Sequence, residues 1–326
     1  MDEAPVVLKD FLNYMQTIRG KSPNTIKEYY YDLRLFLRFI KIQKGITNQD
    51  IEFETIEIKD VTIDLIEKIT LSDLYSYMSF VNRKRYNHSS SRARKVASIR
   101  SFFNYLSNKA KLLDYNPASE LESPKILKTL PKYLNIDESK KLLNIIDGKN
   151  KERDFAIVIL FLNCGLRLSE LVSINLKNIR NNTLSIIGKG GKERTIYLNS
   201  ACQKALLLYT NIRPVEGVKD KEALFLSERK KRISAKTVQY LVKKYIKLSG
   251  LDESKYSVHK LRHTAATLMY RHGNVDIRSL QEILGHESIS TTEIYTHVDN
   301  KDLQNAVEKN PLANFEKECS NESEDE

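Results

Sequence analysis

Four polar side chains in this sequence combine types and spacings that could do chemistry: His259, Arg262, His286 and Tyr295, all in the stretch from Val258 to His297. An arginine offers a planar fork of donors that fits phosphate oxygens. A histidine near neutral pH can donate or accept a proton. A tyrosine hydroxyl can attack a phosphorus and hold it as a covalent phosphodiester. Together they read as a phosphate site with its own nucleophile. Taken singly, each has a plainer reading: His259 and His286 as packed core histidines, Tyr295 as a half-buried ring bonded through its hydroxyl.

Short helices must position these groups. His259 and Arg262 are three apart and share one face of a predicted helix, with Leu261, Ala265 and Leu268 as its core-facing stripe. Gly273 is expected to end that helix in a left-handed cap. A second helix is expected from about Asp276 to Leu284, closed by Gly285, so that His286 follows a helix end. Ser290 is expected to open a third helix with Glu293 as its capping partner, placing Tyr295 in the second turn.

Upstream, the run from Phe155 to Leu162 is apolar all round and predicts a buried helix, followed directly by Gly165-Leu166-Arg167-Leu168-Ser169-Glu170-Leu171. An arginine there needs an anionic partner. Glu170, the free carbonyls of the preceding helix, or a nucleic-acid phosphate would each serve. Thr183–Ile187 and Glu193–Leu198 read as a hairpin around Gly188-Lys189-Gly190-Gly191-Lys192. That loop lacks the complete phosphate-loop pattern and a following helix, so a nucleotide site is rejected. Helices are also expected at Asp137 to Ile146, around Ala205–Tyr209, and from a Ser234 cap through Tyr245. A short strand is expected at Ala223–Leu226. Lys236, Lys243 and Lys244 are candidate phosphate-backbone contacts.

Residues 1 to about 115 read as helical. Leu8, Phe11, Leu12 and Met15 form one stripe, and Ser22-Pro23 opens a second helix carrying Ile26 to Ile40. Residues 43 to 65 are less regular. Ser72 is expected to cap a helix to about Phe80, and a further helix is expected from Ser91 to Leu106. Arg92, Arg94 and Lys95 in its first turns, beside Ser89, Ser90 and Ser91, suit close approach to phosphates; the alternative is a solvated face. Residues 116–133, with Pro117, Pro124 and Pro131, read as a linker. A second domain is expected over 134–312, and an acidic, disordered tail over 313–326.

The formal charge is +11, from 53 Lys and Arg against 42 Asp and Glu, which fits a polyanionic partner with DNA as first candidate. Cys164, Cys202 and Cys319 lack metal-ligand spacing and suit a reducing cytosol. The acidic opening Met1-Asp2-Glu3 reads as no signal peptide, and the longest apolar run is too short to span a bilayer. His259 and His263 are four apart like the pair in H-E-x-x-H, but Lys260 stands where the glutamate would be, so a metal enzyme is disfavoured.

H-K-L-R-H from His259, L-G-H ending at His286, and Tyr295 nine residues later resemble the carboxyl-terminal signature of the tyrosine recombinases, the phage-integrase family, and within it the compact Xer type. G-L-R-L-S-E-L around Arg167 resembles the family's first arginine motif. The resemblance spans nearly the whole chain and is weakest between about Ile42 and Ile69. It implies a mainly α fold with a small antiparallel sheet in the second domain, the two domains clamping a duplex. It implies a site-specific recombinase in which Tyr295 forms a 3′-phosphotyrosyl link, Arg167 and Arg262 hold the phosphate, and His259 and His286 assist. Lys189, or Lys192 as fallback, would protonate the leaving oxygen. No metal or nucleotide cofactor is implied. Two DNA duplexes held by a homo- or hetero-tetramer are, with an accessory recombinase or activator as a possible partner and the nucleoid as the site of action. Rivals are a DNA-binding protein without catalysis and a supercoil-relaxing or hairpin-resolving enzyme with the same chemistry.

Overall fold

The computed structural model describes residues 3–47, 50–125, 132–188, 191, 193–273, 275–286 and 288–295. Lys189, Lys192, the acidic tail and the stretch Leu303–Val307, whose apolar Leu303, Ala306 and Val307 suggest a short final helix, lie outside the described residues. The chain divides into two compact units, Met1–Lys128 and Thr129–Glu326.

The first unit is helical. Helix α1 (Val6–Thr17) buries Leu8, Phe11, Leu12 and Met15. Helix α2 (Pro23–Gln43) starts where the Ser22 hydroxyl accepts the Thr25 N–H and Pro23 takes the first turn. After a short 3-10 turn at Phe53–Thr55 come α3 (Ile63–Glu67), α4 (Leu71–Arg83) and α5 (Ser89–Asn108). Phe11, Phe36, Tyr77, Phe102 and Phe103 fill the core between α1, α2, α4 and α5. The cap of α4 is Thr70 rather than Ser72. The Thr70 hydroxyl accepts from the Asp73 N–H and the Asp73 carboxylate takes the Thr70 N–H at 2.8 Å, a reciprocal pair that starts the helix earlier. Helix α5 likewise starts at Ser89, ahead of the expected Ser91.

Two expectations in this unit are corrected. Ala118 and Leu121 are buried in the helical core, so the first part of the expected linker belongs to the unit. Lys95 is not a surface cation: its ammonium is buried against Asp32 at 2.7 Å, where Ser98 also donates to the same carboxylate. Lys95, Ile99 and Phe102 follow the i, i+4, i+7 spacing of the buried face, which one-signed charge clustering overlooks. Arg94 stays partly exposed while pairing with Asp32 and Glu28, and the half-exposed Arg92 bonds to Asn82. The irregular segment after α2 is clasped to it. Arg38 donates to the Ile56 carbonyl and to Glu54, and Lys41 to the Glu57 carbonyl and Asp60.

The second unit begins its helices with α6 (Ile136–Asn144), capped by Asn135 with Glu138 rather than by Asp137. Helix α7 (Lys151–Cys164) is buried along most of its length and forms the centre of the core. Helix α8 (Leu168–Ser173) leads into a three-stranded antiparallel sheet, β1 (Ile179–Arg180), β2 (Thr183–Ile187) and β3 (Glu193–Tyr197), in the order β1-β2-β3. The β2–β3 hairpin pairs Thr183 with Tyr197 and Ile187 with Glu193. Then come α9 (Ser200–Ile212), α10 (Ala235–Leu248), α11 (Val258–His272) and α12 (Ile277–Leu284). The expected strand at Ala223–Leu226 is buried, but it makes only isolated bridges, Asn175 with Ala223 and Leu226 with Arg232.

Around the candidate residues, Gly285 closes its helix as expected, in a left-handed conformation (φ 64°), whereas Gly273, expected to be left-handed, is not (φ −97°). Gly273 meets a spatial limit instead: a Cβ there would lie 2.7 Å from the Met269 carbonyl oxygen. The expected helix from Ser290 is replaced by two 3-10 turns, Ile289–Thr291 and Glu293–Tyr295.

Candidate active site

The site assembles where the ends of α7 and α12 meet α11. Helix α7 stops at Gly165 in a left-handed turn (φ 59°), and a Cβ there would lie 2.8 Å from Leu284 Cδ2. This close approach brings the last carbonyls of α7 and α12 beside one another. Such carbonyls have no partner within their own helix and carry the negative end of its dipole. Three arginines satisfy them. Arg262 on α11 donates to the Gly165 carbonyl and, at 2.7 Å, to the Leu284 carbonyl. Arg167, at the start of α8, donates to the Gly285 carbonyl at 2.6 Å. Arg194 on β3 reaches the Ile283 carbonyl at 3.3 Å.

Glu170 sits among the three. It is 3 % exposed and accepts from Arg167 at 2.8 Å and from Arg194 at 2.8 and 3.1 Å, and it lies 3.9 Å from Arg262. Its other bond is local, from the Arg167 backbone N–H at 2.7 Å, so one carboxylate both starts α8 and orients the arginines. Burial pushes its pKa up, but the bonds from Arg194 and Arg167 outweigh burial and hold it below the ordinary value. Burial, reinforced by Arg167, lowers Arg262 to about 10, which leaves it charged at neutral pH.

Arg167, His259, Arg262 and His286 line one cleft of about 870 Å³, whose wall continues along Ala235, Gln239 and Lys243 of α10. His286 bonds through Nδ1 to the Thr292 hydroxyl at 2.9 Å, and its backbone N–H returns to the Gln281 carbonyl. Burial, then Arg262 and Arg167, lower the His286 pKa to about 4; the same influences lower His259. Both rings are therefore neutral at pH 7, free of charge repulsion from the arginines. Tyr295 is set apart from the cleft lining. It is 4 % exposed and packs with Ala266, Leu280 and Leu284, while its hydroxyl meets His263 Nδ1 at 2.7 Å. Burial raises its pKa to about 12 against the opposing pull of Arg262.

The structure thus gathers Arg167, His259, Arg262 and His286, with Tyr295 adjoining them. Lys236 is exposed on α10. Sequence reasoning missed Arg194 altogether, weighed His263 only as a metal ligand, and considered Glu170 only as a partner of Arg167. The signals were present: an acid at the third position of a helix opened by arginine, and a histidine adjacent to the buried arginine.

A mostly helical two-unit chain with paired arginines and histidines lining one cleft and a tyrosine adjoining it defines a class, the enzymes that break and rejoin DNA through a tyrosine. The comparisons agree. Residues 132–302 match the phage integrase family, and residues 8–58 match the phage integrase N-terminal SAM-like domain. The chain is 62 % identical over 309 residues to tyrosine recombinase XerC of Caldanaerobacter subterraneus subsp. tengcongensis, covering 95 % of this chain and 88 % of the relative. It is 35 % identical over 299 residues to tyrosine recombinase XerD of Listeria monocytogenes serotype 4b, covering 90 % and 94 %. In fold it is similar to the XerH site-specific recombinase bound to a palindromic difH substrate (TM-score 0.67, 22 % identity, 93 % and 95 % covered). It is also similar in fold to the Tn1549 transposon integrase in complex with transposon right-end DNA (TM-score 0.69, 19 % identity, 93 % and 98 % covered). The chain belongs to the phage integrase family and is a site-specific tyrosine recombinase.

Proposed function

We propose that this recombinase acts on a double-stranded DNA site through the residues gathered at the cleft, with Tyr295 as nucleophile. The Tyr295 oxygen bonds to phosphorus as the bond to the 5′-oxygen breaks, leaving a 3′-phosphotyrosyl link and a free 5′-hydroxyl. Arg167 and Arg262 hold the non-bridging oxygens and stabilise the charge that develops on them. His259 and His286 assist by hydrogen bonding and proton transfer, and Lys189, or Lys192 in its place, protonates the departing oxygen. Bond energy stays in the phosphotyrosine, so rejoining needs no nucleotide. The observation that carries this reading is the convergence of Arg167 and Arg262 on the adjoining ends of α7 and α12, beside two neutral histidines.

Strand exchange then proceeds in pairs through a Holliday junction on a homo- or hetero-tetramer holding two duplexes. Arg92, Arg94 and Lys236 contact the DNA backbone. The biological task is resolution of chromosome or plasmid dimers in the cytoplasm, at the nucleoid, with a second recombinase or an activator as partner. The 62 % identity to a relative named XerC supports this task over integration of a mobile element. No described helix is long and apolar enough to cross a membrane.

The test is Tyr295→Phe on a nicked suicide substrate. Covalent attachment is expected to vanish while DNA binding stays within about twofold, since only a hydroxyl is lost. Full cleavage by the variant would sink the assignment. Sequencing DNA trapped covalently on the intact protein in cells separates the two biological tasks.

A further inference from the structure

Arg194 stands at an inward-facing position of β3. It lies directly opposite Ile186 across the hairpin and two residues before Ile196, both buried, and side chains so related share one face of a sheet. A cation at such a position is costly unless its charge is matched. Here the guanidinium forks onto both oxygens of Glu170, at 2.8 and 3.1 Å, and its Nε donates to the Ile283 carbonyl at 3.3 Å. It also lies against Gly285, where a Cβ would sit 2.7 Å from Arg194 Nη1 and 2.9 Å from Cζ. The glycine before His286 thus leaves the space through which Arg194 reaches Glu170. The Arg194 side chain is 15 % exposed and does not line the cleft, so any influence on the reaction passes through its neighbours.

Those neighbours set the charge at the cleft. Glu170 accepts from Arg167 at 2.8 Å and lies 3.9 Å from Arg262. Three guanidiniums around one carboxylate leave a net charge of two. Two guanidiniums would leave one, and the carboxylate would then compete with a phosphate for Arg167 and Arg262. We propose that Arg194 is a positioning residue for DNA cleavage, which by neutralising Glu170 leaves the charge of Arg167 and Arg262 to the phosphate being cut. This rests on the reading of Arg167 and Arg262 as the pair that holds that phosphate. Burial pushes the Glu170 pKa up, and the bonds from Arg194, ahead of those from Arg167, bring it below the ordinary value. The same contacts seat the Gly285 turn, whose carbonyl accepts from Arg167 at 2.6 Å and which leads directly into His286.

The experiment measures the rate of covalent attachment to a nicked suicide substrate at saturating DNA, with DNA affinity recorded separately. It compares the intact protein with Arg194→Gln, Arg194→Lys and the double variant Arg194→Gln with Glu170→Gln. Losing a donor to the reacting oxygens themselves costs about 10²- to 10³-fold in rate, so Arg194→Gln, one contact further back, should lose about tenfold. Arg194→Lys and the double variant both keep the net charge of two and should attach close to the intact rate. A purely structural role predicts the opposite for the double variant, which disturbs the cluster twice. An intact rate in Arg194→Gln would overturn the proposal. So would attachment by Arg194→Lys or the double variant at about a tenth of the intact rate or less, whether or not Arg194→Gln folds. A methylphosphonate at the cleavage position gives a second reading, because it carries one negative charge fewer. The deficit of Arg194→Gln should shrink on it, and an equal deficit on both substrates would refute the charge argument. Arg167→Ala tests the underlying reading in the same assay. An intact rate there sinks that reading and the proposal together, whereas a large loss there beside an intact rate in Arg194→Gln overturns the proposal alone.

Discussion

Replacing Glu170 by alanine tests whether this carboxylate organises the arginines. The substitution removes the shared counterion of Arg167 and Arg194 and leaves Arg262 without its nearby carboxylate, while the arginine side chains stay 31 %, 15 % and 4 % exposed. Removing one member of a buried charge pair costs about 3–5 kcal/mol, because the partners remain buried and uncompensated. In a unit of this size each kcal/mol moves the melting midpoint by roughly 2–4 °C, so Glu170→Ala should lower it by roughly 6–20 °C. Glu170→Gln keeps the volume and an acceptor oxygen, and should lose about half as much. Calorimetry on the full chain reads the catalytic unit's transition. Sulfate should stabilise Glu170→Ala more than the intact protein, since an anion replaces the missing charge. A midpoint for Glu170→Ala within about 2 °C of the intact protein would show that the arginines are held by the helix-end carbonyls alone.

Stability should fall on acidification from about pH 6.5 toward pH 4. His263 and His286 are both lowered to about 4 in the folded chain, so the unfolded chain binds more protons throughout that window. For the buried His263 the shift corresponds to at most roughly 3 kcal/mol, and melting curves at pH 5 and pH 7 measure it. Glu170, depressed in the folded state, adds to the loss as pH falls below the ordinary carboxylate range. Gly285→Ala forces a side chain into a left-handed position with its Cβ 2.7 Å from Arg194 Nη1, and should destabilise by about 1–3 kcal/mol in urea titrations. Covalent attachment should survive EDTA, since the mechanism draws its positive charge from arginine and lysine; loss on chelation with recovery on adding a divalent ion would contradict it.

Much of the site was legible because it obeys local periodicity. Three-residue spacing put His259 and Arg262 on one face of α11, and a helix end placed His286 after Gly285. What escaped depends on packing between distant segments. Arg194 sits on a strand whose inward face has meaning only once β3 lies against the end of α12. His263 reads as one more residue on the buried side of α11 until the Tyr295 hydroxyl is found beside it. Lys95 was grouped with Arg92 and Arg94 by charge, although its register with Ile99 and Phe102 already assigned it to the core; its partner Asp32 lies 63 residues away in sequence. Thr70 and Asn135 began helices ahead of the expected caps, each through a reciprocal bond with an acid three residues on.

The clasp between α2 and the segment that follows it constrains how this chain can change in length. Arg38 and Lys41 are buried cations whose partners, the Ile56 and Glu57 carbonyls with Glu54 and Asp60, all lie within 54–60. Deleting that stretch alone would strand two charges in the first unit's interior, while neutralising α2 alone would leave two carbonyls and two carboxylates without these donors. Segment and cations are thus interdependent, and a viable shortened chain needs apolar residues at positions 38 and 41 in the same step.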